Sequence, residues 1–188
     1  MTHPRLFLVA PDALSADALD VCAVAACTAG DCASILVPET VTAASVAKLQ
    51  ALGLAVIIRD CEPRLVHRLN ADGIHIGRSA PVKTMRETLK TDVIGVFAAT
   101  SRHIAMEAAE TGADYVAFAQ KSQKQGEPLL FWWHEIFEVP TVAFDPVSAA
   151  DLATLLPQKP DFIRPMDKIW DSAETAKAEI SSLMKALT

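Results

Sequence analysis

A (β/α)8 barrel, eight parallel strands closed into a ring and each followed by a helix, is the fold class this sequence predicts, on two observations. The first is an alternation of eight short apolar or β-branched runs with eight segments of helical pattern. The second is an Asp just before every second strand: Asp31 before CASILVP, Asp72 before GIHIG, Asp114 before YVAFA and Asp161 before FIRP, at spacings of 41, 42 and 47 residues. Such a gap is too long for one strand and helix and about right for two. An open doubly wound sheet also alternates strand and helix, but the regular two-unit spacing favours closure. At 188 residues the chain suits one domain spanning 1–188.

The strands are expected at Leu6 to Ala10, Ala33 to Val37, Leu54 to Ile58, Gly73 to Ile76, Val93 to Ala98, Tyr115 to Ala119, Thr141 to Phe144 and Phe162 to Arg164. None alternates strictly, as expected of parallel strands buried on both faces. Helices are expected at Ala16 to Ala29, Ala43 to Leu52, Arg64 to Leu69, Val82 to Leu89, Arg102 to Thr111, Leu130 to Phe137, Ser148 to Leu155 and Ser172 to Leu187. Ser15, Thr42, Ser101 and Ser148 stand where a side-chain oxygen caps a helix, and Gly30, Gly53 and Gly112 where helices end. The stretch QKSQKQGEP, residues 120 to 128, reads as a mobile loop after strand six. The four Asp residues suit turns in which a short side chain bonds its own backbone, a structural role.

Composition removes several function classes. A net charge of -6 without a dense Lys/Arg block argues against a nucleic-acid partner. The longest apolar runs, such as Val21 to Cys27, fall far short of a membrane span, which needs about 20 residues. The opening MTHPRLFLVAPD matches a signal peptide poorly and reads as a first core strand. Cys22, Cys27, Cys32 and Cys61 contain no CxxC pair, so they are expected to be buried thiols in a cytoplasmic protein.

In such a barrel the working residues come from the C-terminal ends of the strands. These ends carry Asp12, Glu39, Arg59 and Asp60, His75 with Gly77 and Arg78, Thr100 and Ser101, Gln120 and Lys121, Asp145 and Arg164. Arg59, Arg78 and Arg164 would share one rim with Lys121 and Lys124 above it, and guanidinium forks bind phosphate or carboxylate oxygens at two points. An anionic, phosphorylated small molecule is the expected partner, with Arg59, Arg78, Thr100, Lys121 and Arg164 as the candidate binding set. The competing expectation pairs each Arg with Asp12, Glu39, Asp60 or Asp145 in a rim salt-bridge network. Asp60 is the best candidate ligand for Mg2+, which takes one or two carboxylates plus substrate phosphates. His75, within GIHIG, reads as a hydrogen-bonded core residue. Trp132 and Trp133 point about 100° apart on a helix, so one packs inward; the other is free to cover a partner surface, and a homo-oligomer is a further expectation.

The stretch ADGIHIGR followed by IGVFAATSRHIAMEAAETGADYVAFA, residues 71 to 119, resembles the thiamin phosphate synthase family, which includes the related thiazole tautomerases and reads approximately ADGVHLGQ and then GADYVGFGP. Weaker likeness runs through RLFLVAPD, VIIRD and PTVAF. The resemblance implies a (β/α)8 barrel that couples hydroxymethylpyrimidine diphosphate to a thiazole phosphate, with magnesium assisting and pyrophosphate leaving. It also locates departures. Where the family carries Gln-Leu-Arg-x-Lys, this chain reads ILVPE; the family Asn-Asp becomes Arg59 and Asp60; its Gln becomes Arg78; its second metal-binding Asp falls at Ala80. Lys121 or Lys124 replaces the Thr-Pro-Thr-Lys loop, the phosphate-binding Gly-Gly becomes Asp145 and Pro146, and the tautomerase His falls at Ala99 or Thr100. Two readings therefore stand: a family enzyme of the diphosphorylase type, and a non-catalytic or repurposed paralogue binding a phosphorylated molecule or a partner protein.

Overall fold

The computed structural model describes residues 3–77, 82–123 and 125–188; Arg78, Ala80 and Lys124 lie outside them. Its strands are β1 Arg5–Val9, β2 Cys32–Val37, β3 Ala55–Arg59, β4 Gly73–Ile76, β5 Val93–Ala99, β6 Tyr115–Phe118, β7 Thr141–Val147 and β8 Phe162–Pro165. They pair in parallel in sequence order, and β8 closes on β1. The helices that follow them are α1 Ala16–Ala29, α2 Ala43–Ala51, α3 Pro63–Leu69, α4 Val82–Thr88, α5 Arg102–Glu110, α6 Leu129–Ile136, α7 Leu152–Leu155 and α8 Ala173–Leu187. The (β/α)8 expectation holds.

Both strand faces are buried, which explains the missing alternation. One set of side chains, including Leu6, Leu8, Ile35, Val37, Val56 and Ile58, packs outward against the helices. The other set, Phe7, Val9, Leu36, Ile57, Tyr115, Ala117 and Val142, fills the barrel. Ser15, Thr42 and Ser101 accept the expected capping bonds, from the N–H groups of Ala18, Ser45 and Ile104. Ser148 instead caps a 3-10 turn at Ala149–Asp151, and the seventh helix shrinks to the single turn of α7. Gly53 and Gly112 end their helices at φ +85° and +101°. Gly30 does not turn this way, since its φ is -164°. A side chain there would strike Ile180 and Met184 of α8 at 2.6 and 2.7 Å, so close packing is what the position requires.

The repeated Asp is structural by a different route from a local turn. Asp72, at the foot of β4, accepts a hydrogen bond from Val56 N–H of β3 at 2.7 Å. Asp114, before β6, does the same for Ile94 N–H of β5 at 2.7 Å, and Asp161, before β8, for Thr141 N–H of β7 at 2.8 Å. Each carboxylate thus ties the foot of an even strand to the odd strand before it. Asp31 plays the same part at β1 through a side chain, receiving Arg5 Nε and Nη2 at 2.9 and 2.8 Å. These bonds lie at the N-terminal face, opposite the expected chemistry.

The expected end of strand seven moves. β7 runs on through Asp145 and Pro146 to Val147, and its pairing with β8 skips from Ala143 to Val147. Pro146 has no N–H to contribute, so the ladder breaks where it stands. The segment after β6 opens with a 3-10 turn at Gln120–Ser122. Gln123 then accepts from Leu129 N–H at 3.0 Å and donates to the Glu127 carbonyl at 2.7 Å, fastening the loop to the start of α6. Of the two tryptophans, Trp133 is buried, donates to the Val139 carbonyl at 2.7 Å and stacks on Phe137. Trp132 is half-buried, with the Arg102 guanidinium 4.4 Å from its ring centre.

Candidate active site

The inward positions nearest the C-terminal ends of the strands enclose a cavity of about 270 Å³ lined by Val9, Arg59, Asp60, His75, Gly77, Phe97, Phe144 and Arg164. Strand register assembles it. Arg59 of β3 pairs with His75 of β4, His75 with Gly95 of β5, and Gly95 with Tyr115 of β6. Because Gly95 has no side chain, His75 and Tyr115 meet across it: His75 Nδ1 and Tyr115 Oη are 2.7 Å apart. A methyl group at position 95 would lie 1.9 Å from the Tyr115 ring. Phe144 of β7 stacks on the imidazole at 5.2 Å and 7°, and Phe97 packs against Phe144 at 5.1 Å.

Burial sets the charge state of this row. The His75 imidazole is pushed down to about 3, first by loss of solvent and then by the neighbouring Arg59 charge, so it is neutral at physiological pH. Burial pushes the Tyr115 hydroxyl up, and it keeps its proton. His75 therefore is the hydrogen-bonded core residue expected, and it also lines the cavity.

Above the row, two guanidinium groups face the same space. Arg59 donates to Asp12 Oδ1 at 2.8 Å and to the Ala10 carbonyl at 3.0 Å. Arg164 donates to Asp167 Oδ1 at 2.7 Å and to the Phe144 carbonyl at 3.3 Å, with its guanidinium 5.3 Å from the centre of the Phe144 ring. The rim pairing is thus the expected one for Arg59, while Arg164 uses an Asp three residues further along its own chain. Two polar atoms of the lining, His75 Nε2 and Arg164 Nε, are buried without a partner among the described residues. Unpartnered buried groups are rare in folded proteins and mark places where something else supplies the bond.

Asp60 holds the junction of β3 and β4. Its N–H donates to the His75 carbonyl at 2.8 Å, and its Oδ1 accepts from Gly77 N–H at 2.8 Å. Its φ of +43° is an uncommon conformation for a residue with a side chain and fixes the carboxylate at the cavity edge. Among the described residues no three His, Cys, Asp or Glu side chains gather as a metal cage. Asp60 fits Mg2+ only as a single carboxylate, with phosphate oxygens completing the shell.

The remaining candidates sit elsewhere. Lys121 N–H donates to Asp145 Oδ2 at 2.6 Å, and its ammonium reaches the Pro146 carbonyl at 2.7 Å and Asp151 at 3.3 Å. Ser148, and then Lys121, holds the Asp151 carboxyl below its usual range. Thr100 is exposed and lines a separate depression with Arg102, Ser122 and Glu127. Neither Lys121 nor Thr100 lines the arginine cavity, and Arg78 is outside the described residues. Sequence reasoning missed Tyr115, Phe97 and Phe144. Their period of two with Ala117, Gly95 and Val142 was the available signal.

Inward arginines thus surround an aromatic-floored cavity at the C-terminal ends of the strands of a (β/α)8 barrel, an arrangement with the chemistry to hold an anionic small molecule. The sequence profile described as thiamine monophosphate synthase matches residues 39–166, and the chain belongs to that family. A thiamine-phosphate synthase of Rhodospirillum centenum is 31% identical over 206 residues, covering 100% of this chain and 99% of that protein. One from Hyphomonas neptunium is 36% identical over 152 residues, covering 76% and 68%. Among solved structures, a thiamine phosphate pyrophosphorylase from Pyrococcus furiosus superposes with a TM-score of 0.79 at 16% identity, covering 97% of this chain and 95% of that one. At that identity the superposition speaks for the fold.

Proposed function

We propose that this protein acts on the substrates of its family, coupling hydroxymethylpyrimidine diphosphate to a thiazole phosphate with release of pyrophosphate, at the cavity between Arg59 and Arg164. The observation that carries this reading is that both guanidinium groups and Asp60 line one cavity at the catalytic end of the barrel. The two arginines neutralise the phosphate charge and hold it in place, and Asp60 adds one carboxylate to a Mg2+ held mainly by the diphosphate. The magnesium, when bound, stabilises the leaving pyrophosphate. Phe97 and Phe144 exclude water from the reacting end.

One observation favours a second reading, a paralogue that binds such a ligand with little turnover. Where the resemblance places a phosphate-binding glycine pair, Asp145 and Pro146 lie within β7. The Asp145 N–H is already donated to Gln120 Oε1 at 3.1 Å, and Pro146 has none to offer. The Asp145 carboxylate would also repel a phosphate. On this basis the site is a diverged one, and ordinary synthase turnover is expected to be slow.

Purified protein supplied with both substrates and Mg2+ decides between these readings when thiamin phosphate is followed with time. Formation of product that Asp60→Ala abolishes supports the enzyme and removes the non-catalytic reading. No product and no binding of either substrate removes the thiamin assignment altogether.

A further inference from the structure

The buried pair in the barrel centre fixes more than a contact. Neutral His75 carries one ring proton, and Tyr115 carries one hydroxyl proton, yet only one hydrogen can lie between Nδ1 and Oη. If Nδ1 held the imidazole proton and donated it, the Tyr115 hydroxyl hydrogen would point into a buried interior, and among the described residues Oη has no other hydrogen-bond partner. Donation by Tyr115 leaves one buried group without a partner, Nε2–H, whereas donation by Nδ1 leaves two, the hydroxyl donor and the bare Nε2 acceptor. The lower-energy arrangement has Tyr115 donating to Nδ1, which puts the imidazole proton on Nε2. That atom is on the ring edge away from Tyr115, and it is one of the two unpartnered buried polar atoms in the cavity lining. The other, Arg164 Nε, is also a donor.

We propose that Tyr115 is a positioning residue that locks His75 as the Nε2–H tautomer, so that the cavity lining offers two N–H donors, from His75 and Arg164, to acceptor atoms of the bound ligand. Gly95 is the third member of this device, because only a residue without a side chain lets the hydroxyl reach over β5. The flat faces of Phe97 and Phe144 beside these donors fit a planar group that bears lone pairs. The identity of the ligand rests on the function proposed above; the tautomer does not.

The test has two arms. Nitrogen-15 NMR of histidine-labelled protein without ligand is expected to show His75 protonated at Nε2 and bare at Nδ1, with Tyr115→Phe losing that preference. Protonation at Nδ1 in the unsubstituted protein overturns the proposal. In the second arm the same sample is titrated with hydroxymethylpyrimidine diphosphate and, separately, with inorganic pyrophosphate. Either ligand is expected to shift the His75 Nε2 resonance and to bind about tenfold more weakly to Tyr115→Phe, the size of one lost hydrogen bond. Binding of pyrophosphate without the pyrimidine compound leaves the tautomer role standing and removes the proposed reaction. Failure of both ligands to move Nε2, or equal affinity in the variant, overturns the proposal.

Discussion

The two ends of the barrel treat their polar groups in opposite ways. At the N-terminal end, Asp72, Asp114 and Asp161 each give an oxygen to the first N–H groups of the preceding odd strand, and Asp31 takes the Arg5 side chain. At the C-terminal end, buried His75 Nε2 and Arg164 Nε lack partners among the described residues. Satisfied polar groups stabilise a fold; unsatisfied ones cost it free energy and call for a partner from outside the fold. The contrast separates the residues that hold the barrel from those proposed to meet a ligand.

The largest effect should come at the seam between the two ends. Gly95→Ala drives a methyl group into the Tyr115 ring, and overpacking of this kind costs about 3 kcal/mol; urea unfolding reads the loss, and an unchanged midpoint would break the account of the row. Next, Asp72→Ala strands the Val56 N–H and loses the Gln50 contact, for about 2 kcal/mol. Asp72→Asn keeps an acceptor and should recover most of it, while neither change should alter ligand affinity.

Acid should weaken the fold through the other end. The folded pKa of His75 is depressed from 6.5 to about 3, so the unfolded chain binds more protons throughout that window. The stabilisation is complete above 6.5 and is lost as pH falls toward 3, by about 1.4 kcal/mol per pH unit. In urea titrations at pH 6 and 5, His75→Asn should show a shallower decline than the unsubstituted protein, and equal slopes would contradict the burial of a neutral imidazole. The smallest effect belongs to the outer surface, where Arg102→Ala removes the guanidinium over Trp132 and should cost no more than about 1 kcal/mol.

The same contrast explains what the sequence made legible. Strand and helix positions follow from local pattern, and those expected from the sequence lie within one or two residues of the observed ones almost throughout. Two elements depart further: the seventh helix begins as a 3-10 turn and keeps only Leu152–Leu155, and β7 reads as ending at Phe144 because Asp145 and Pro146 resemble a loop, whereas the ladder passes over them to Val147. Arg59, Asp60 and Arg164 line one cavity, as a barrel that sends its strand ends to one mouth leads one to expect. Lys121 and Thr100 also follow strands, but Lys121 lies within a 3-10 turn after β6 and Thr100 follows the positive φ of Ala99, and neither lines the cavity. The His75 to Tyr115 bond joins residues 40 apart and depends on a glycine on the strand between. No local pattern carries that information. The roles of the four Asp residues were read as structural, but their partners lie on the neighbouring strand, which only the closed register reveals.

On the function proposed above, the mouth recognises an anionic ligand and the foot does not. Calorimetric titration of hydroxymethylpyrimidine diphosphate with Mg2+ into Arg164→Gln and Asp72→Asn tests it directly. The account expects Arg164→Gln to bind at least tenfold more weakly, the size of a charge-assisted hydrogen bond, while Asp72→Asn binds as the unsubstituted protein does. Equal affinity in all three proteins, or a loss confined to Asp72→Asn, would contradict it.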